Sequence, residues 1–247
     1  MSNDLEKQTL YLKERALDAR ARASFEVVPP ESTAVAECAV SLVHCSNNRL
    51  LNLFDGTAHA CEQQNYDCAT LSARALLSTI GYCLYLYRRL SDEPEKANEI
   101  VWQFYTSNDM KRKLFKNSSL KKKIFLTEQA KSNFERVRFA RISAGDAIKK
   151  GLAFVIGSAK PEAVEHCLEL YDRLSEASHD SQVSIVYMHS TLGNATPTSI
   201  AHIDFIDALQ HDIWQALAHL QLFDTFKADI VSHFWSLEGR WPPAGAS

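Results

Sequence analysis

Proline and glycine are scarce in this chain, and the long proline-free intervals constrain its fold more than any other feature. The 247 residues include 8 Gly and 7 Pro, where average usage gives roughly 17 and 12. More than 60 residues separate Pro30 from Pro94, and again Pro94 from Pro161. An all-β fold draws on both residue types at its many turns, so these intervals imply long helices. Hydrophobic residues at 46% and charged residues at 23% are ordinary globular usage, which excludes wholesale disorder. A chain of this size buries about 70% of its unfolded surface on folding, so neither disulfides nor a structural metal is needed for stability.

The apolar periodicity fills the intervals with helices. Asn3-Asp4-Leu5-Glu6 reads as a capping box that opens a first helix to about residue 23. Residues 25–30 form an extended connector, because residues before proline avoid the helical region. From about residue 32, Val35, Ala39, Leu42, Val43, Leu50, Leu53 and Phe54 recur at three- and four-residue steps, the spacing of one buried helix face. Gly56 is a candidate bend or end, and the pattern fades at Gln63-Gln64-Asn65. The next helix, about 67–90, is apolar almost all round and is expected at the centre. Asp92 is expected to cap a further helix with Pro94 in its first turn.

A connector over 110–118 leads to a helix from about residue 119 to 156, with Gly145, Gly151 and Gly157 as candidate kinks or ends. Pro161 opens a helix to about 178. Residues 180–198 read as a long loop with one extended stretch at 183–188, and a final helix runs over about 199–237. The expected fold is all-α, a bundle of six or seven helices with long central ones. The expected organisation is an N-terminal helix and connector over 1–30, a single bundle domain over 31–240, and a disordered tail over 241–247.

A cytoplasmic, soluble protein is the expected setting. The N-terminus is charged throughout and lacks the apolar core of a secretory signal. The longest apolar-dominated stretch, 75–87, has 13 residues, short of the roughly 20 a membrane-spanning helix needs. No C-x2-C pair occurs among Cys38, Cys45, Cys61, Cys68, Cys83 and Cys167, so the zinc signature is missing. Cys38/Cys45 and Cys61/Cys68 are each seven residues apart, which repeats one helix face, and all six thiols are expected reduced and buried.

The net charge of −3 conceals an asymmetry. Residues 111–150 hold 13 Lys or Arg against 3 Asp or Glu, a local +10, which leaves the remainder at −13. Lys111, Arg112, Lys113, Lys116, Lys121, Lys122 and Lys123 are its densest part, with Phe115 and Phe125 interleaved. Such a field attracts phosphates, and interleaved rings stack on bases. This segment is a candidate surface for RNA or another protein; it equally suits a solvated face pairing with acidic helices of the same bundle.

Several chemistries are excluded by their missing signatures: no P-loop, no G-x-G-x-x-G, no G-x-S-x-G and no H-E-x-x-H occur, and the single Glu-x-x-His, Glu176 to His179, lacks the second copy a di-iron bundle needs on a facing helix. No cofactor and no metal site is expected. His202, Asp204, Asp207 and His211 cluster, but a two-ligand fragment on one face is not a metal site. The most informative segment runs from Tyr171 to Ser181. A continuing helix stacks Tyr171, Ser175 and His179 on one face. Arg74, a permanent cation on the apolar central helix, requires acceptors wherever it is buried. Arg74, Tyr171, Ser175, His179 and Ser181 therefore form a candidate ligand-binding set for a small molecule or nucleotide. The alternative is a hydrogen-bond network that fixes helix register.

The same residues carry a resemblance. Arg74 in an Ala/Leu-rich helix, followed about a hundred residues later by Tyr171, Leu174, Ser175, His179 and Ser181, resembles a bacterial all-helical family grouped under a domain of unknown function. The likeness covers roughly residues 50–185. Members often carry Glu four residues after the Arg, where this chain has Ser78. The resemblance implies a bacterial protein acting through a partner or ligand, in defence or stress response. A second pattern, Arg173-Leu174-x4-His179, is similar to that of HEPN-superfamily ribonucleases. It implies a metal-independent endoribonuclease and a homodimer. His179 would move the 2′-hydroxyl proton, Arg173 would stabilise the phosphorane, and the basic segment would hold RNA.

Overall fold

The computed structural model describes Glu14, residues 35–97, Ile100, and residues 142–156, 160–178 and 200–236. Among these residues the ordered structure is helical and no strand occurs. Five helices lie among the described residues: α1 Val35–Glu62, α2 Tyr66–Asp92, α3 Ala144–Ile156, α4 Pro161–Ser178 and α5 Ile200–Ser236, with a 3₁₀ turn at Pro94–Lys96. None is long and apolar enough to cross a membrane. The expected first helix, the connector and basic run over 98–141, the loop over 180–198 and the tail lie outside the described residues, apart from isolated positions.

The turn between α1 and α2 shows how local chemistry sets a helix boundary. Asn65 donates its backbone N–H to the Ala60 carbonyl and Gln64 donates to Cys61, the two reverse bonds of a Schellman motif. Gln64 takes the left-handed conformation this motif needs, with φ at 55°. Asn65 then caps α2, its side-chain oxygen accepting from the Cys68 N–H at 3.2 Å. Cys61 and Cys68 therefore sit on different helices and do not repeat one face.

α2 is 27 residues long, about 40 Å, and packs against all four other helices. Leu76, Leu77, Leu84, Leu86 and Leu90 are fully buried along it, with Leu50 and Phe54 of α1 and Phe223 of α5 closing the core. Its hydroxyls avoid desolvation costs by bonding one turn back: Thr70 to the Tyr66 carbonyl, Ser78 to Arg74, Thr79 to Ala75 and Ser91 to Tyr87. The cross-helix pairs give directions. Tyr66 meets Gln210 and Ser91 meets His233, so α2 and α5 run parallel. Arg74 meets Ser178, while Tyr82, two turns further along α2, interacts with Tyr171, two turns earlier in α4, so α4 runs antiparallel to α2.

α3 approaches α2 more closely than any side chain permits. A Cβ built on Gly81 would lie 2.5 Å from the Ile148 side chain, and one on Gly151 would lie 2.8 Å from the Tyr85 backbone nitrogen and 2.9 Å from the Gly81 carbonyl. Gly151 is thus neither a kink nor an end but the contact that lets the two backbones meet. Above it, the Tyr87 and Phe154 rings pack edge to face at 5.4 Å. Tyr82 donates to the Ile142 carbonyl at 3.2 Å below it.

Further expectations are corrected here. No helix runs unbroken from 119 to 156: Ile142 and Ser143 are non-helical. Ser143 caps α3, accepting from the Asp146 N–H at 3.0 Å and donating to its carboxylate at 2.8 Å. Asp92 ends α2 and does not cap a further helix; Glu93 precedes the 3₁₀ turn, and Arg89 and Lys96 both pair with it. α1 runs through Gly56 without ending. Cys83 and Cys167 are buried, but Cys45 and Cys68 are exposed, because they fall on the outward faces of α1 and α2.

The glycine geometry predicts opposite outcomes for one chemical change. Gly151→Ala should lower stability by about 1–3 kcal/mol through overpacking, outweighing the gain in helix propensity. Gly56→Ala, with nothing within 4 Å of the new Cβ, should raise it by about 0.5–1 kcal/mol. Urea denaturation of both variants tests this; equal effects of the same sign would contradict the close approach of α3.

Candidate functional site

The candidate site forms where the last turn of α4 meets the first half of α2. Tyr171, Ser175 and Ser178 follow at steps of four and three residues and share the face of α4 turned to α2. Leu170 and Leu174, fully buried beside them, hold that face in register. Arg74 reaches across from α2. Its Nη1 donates to Ser178 Oγ at 3.0 Å, and its guanidinium carbon lies 5.8 Å from the centre of the Tyr171 ring, within cation–π range. Ser178 Oγ in turn donates to the Ser175 carbonyl at 2.9 Å. Ser175 Oγ is itself buried and has no hydrogen-bond partner among the described residues.

Electrostatics explains why a cation is tolerated here. The last turn of α4 contains no basic residue of its own, and the aligned peptide dipoles of a helix favour a cation near its C-terminal end. Arg74 brings the complementary cation from the neighbouring helix. One of the guanidinium's five donors is thereby used, on a neutral hydroxyl.

The other arginines on these helices are held differently. Arg88 pairs with Asp92 at 3.2 Å and Arg89 with Glu93 at 2.9 Å, each one turn along α2. Arg173 binds Asp212 of α5 through two parallel bonds, Nε to Oδ2 at 2.8 Å and Nη2 to Oδ1 at 2.9 Å. The Asp212 side chain is only 13% exposed, against 45% for Arg173, so this pair closes the α4–α5 seam over a largely buried carboxylate. Among the described residues, no carboxylate pairs with Arg74.

The structure therefore brings together Arg74, Tyr171 and Ser175, and adds Ser178. It places Arg173 apart, in the seam with α5. His179 and Ser181 lie outside the described residues, as do Lys111, Arg112, Lys113, Lys116, Lys121, Lys122 and Lys123. Of the basic segment, Lys149 and Lys150 are described and are exposed on α3. Asp207 and His211 are exposed, with His211 Nε2 2.8 Å from the Gln215 side-chain nitrogen. Among the described residues no group of three or more His, Cys, Asp or Glu could hold a metal ion.

Sequence reasoning missed Ser178 and Asp212. Ser178 continues the Tyr171/Ser175 spacing and was legible from it. Asp212 falls in step with Leu209 and Ala216 on the apolar stripe of α5, and an acid in that register requires a cation from the facing helix. Comparison with protein-family models, curated proteins and solved structures finds no match to this chain.

Three histidines sense the packing around this seam and its neighbours. Burial lowers the pKa of His219, with the His166 ring adding to the effect and a 2.8 Å bond to the Gln215 carbonyl opposing it. Burial also lowers His44, beside Lys227, and His233. Above pH 6.5 each is neutral both folded and unfolded. As pH falls through 6.5 the unfolded chain takes up protons first, so folded-state stability is lost, by at most about 1.4 kcal/mol per pH unit per group. Stability should therefore decline between pH 7.5 and 5.5, and His219→Gln should flatten that decline. An unchanged slope in urea titrations of the variant would show that His219 stays as solvated as in the unfolded chain.

Proposed function

We propose that this protein acts by binding a small anionic molecule at Arg74, Tyr171, Ser175 and Ser178, where the last turns of α4 meet α2. One observation carries the reading. Arg88, Arg89 and Arg173 each pair with a carboxylate, whereas half-buried Arg74 has a hydroxyl and an aromatic ring and no carboxylate among the described residues. A half-buried guanidinium with open donors is the usual recognition element for carboxylate or phosphate groups. The orphaned Ser175 hydroxyl is a second group that a ligand would satisfy. His179 and Ser181, next along the chain, complete the set.

In this reading the whole chain is a bundle of six or seven helices working in the cytoplasm. The ribonuclease alternative requires the Arg173 donors for a phosphorane. Asp212 occupies the Nε and Nη2 donors in a bidentate pair, which favours binding at Arg74 over catalysis at Arg173.

Thermal shift and calorimetry with a panel of carboxylates, inorganic phosphate and nucleotides test the proposal. A ligand at 100 times its Kd should stabilise the protein by about 2.7 kcal/mol, a Tm rise of roughly 5–10 °C at this size. Arg74→Gln should abolish that rise, while Arg173→Gln should lower the baseline Tm and leave the rise intact. Stabilisation that survives Arg74→Gln would place binding elsewhere.

A further inference from the structure

We propose that the seam between α4 and α5 is a pH-operated latch, in which Arg173 and Asp212 form the fixed clasp and His166 and His219 the releasing one. The bidentate pair sets the register. α4 runs antiparallel to α2 and α5 parallel to it, so α4 and α5 are antiparallel to each other. His166 lies seven residues before Arg173 on α4, and His219 lies seven residues after Asp212 on α5. Seven residues are two turns, about 10.5 Å along each axis with only about 20° of drift in facing. The two histidines therefore repeat the positions of the ion pair across the same seam. They repeat its exposure as well: in each pair the α4 member is exposed and the α5 member is the more buried one.

The chemistry of the second pair differs from that of the first. His219 Nδ1 lies 2.8 Å from the Gln215 carbonyl, so Nδ1 carries the donated proton and Nε2 is where a further proton would go. Burial lowers the His219 pKa, the carbonyl bond opposes this, and the facing His166 ring adds to the lowering. Glu162, Glu165 and Glu169 lie exposed within about one turn of His166 on α4. On α5, His211 is exposed two turns before His219, and Asp212 is taken by Arg173. Among the described residues no charged group of α1 or α2 acts on His219. With His219 neutral, the pair packs without repulsion. A proton on each ring puts two cations across a seam partly out of water, where they repel more strongly than in solvent. The open seam takes up the His219 proton more readily than the closed one, so opening gains population as pH falls below 6.5. α4 carries Tyr171, Ser175 and Ser178, so the latch governs how firmly they are held against Arg74.

Hydrogen exchange of the full chain between pH 7.5 and 5.5, corrected for intrinsic exchange rates, tests the latch helix by helix. Amides of α4 should exchange through a local opening, with lower protection than the α2 core around Gly81. Their protection should fall by up to about tenfold per pH unit below 6.5. His219→Gln should abolish that fall in α4, while the α2 core keeps the part of its decline that comes from His44 and His233. His166 is exposed, so His166→Gln should keep the parent Tm; it should also weaken the pH response of α4. In the same variant the His219 ring, followed by NMR, should titrate at a higher pH than in the parent. This second readout needs only the His166 variant, so it decides the matter even where His219→Gln fails to fold. Protection of α4 equal to that of the α2 core at every pH would overturn the latch. So would a fall that persists in His219→Gln, or a His219 midpoint indifferent to His166→Gln.

Discussion

The close approach of α2 and α3 at Gly81 and Gly151 is the constraint on which the arrangement of the other helices depends. A backbone nitrogen and a carbonyl of α2 lie within 3 Å of where a Gly151 Cβ would stand, so nothing larger than hydrogen fits at the crossing. With α3 seated this deeply, Tyr82 and Tyr87 are clamped at either side of the contact, by the Ile142 carbonyl and by the Phe154 ring. α2 is thereby the axis shared by the other four helices. α1, α4 and α5 bury their apolar stripes against its remaining faces, and α4 arrives antiparallel with its last turn opposite Arg74.

Two arginines on this framework illustrate how surroundings divide structural from recognition roles. Arg173 and Asp212 form a bidentate pair over a carboxylate that is nearly out of water. Removing Arg173 would leave a largely buried carboxylate unpaired, so the pair holds α4 to α5. Arg74 is held by softer contacts, a hydroxyl and the face of a ring, with the α4 dipole supplying diffuse rather than localised negative charge. These contacts fix the direction of the guanidinium and, among the described residues, engage one of its five donors. That combination of a preset direction and free donors is what a binding site for an anion requires.

Much of the helical framework is legible in the sequence because its signals are local. Pro161 opens α4 as expected, the apolar run around 75–87 lies at the centre, and the Gln63-Gln64-Asn65 break is the turn between α1 and α2. The differences arise where a local pattern admits two physical causes. Ser143 and Asp146 carry a capping box, but the apolar periodicity on either side of it reads as one continuous helix. A glycine within a helix looks the same whether it bends the axis or admits a neighbouring backbone, and only the position of α3 identifies Gly151 as the latter. The Tyr171/Ser175 face can be read from its spacing. Its pairing with Arg74, more than a hundred residues away, is a product of the antiparallel packing of α4 and is not written in either segment. Arg173 and Asp212 are likewise joined by packing, across 39 residues.

The central claim is that Arg74 is the open cation and Arg173 the closed one. The side-chain Nε–H resonances of arginine-labelled protein, followed by NMR during titration with acetate and with inorganic phosphate, test it at the two groups themselves. The account predicts that the Arg74 resonance shifts saturably while that of Arg173, tied to Asp212, stays in place. Movement of Arg173 with Arg74 stationary would contradict it.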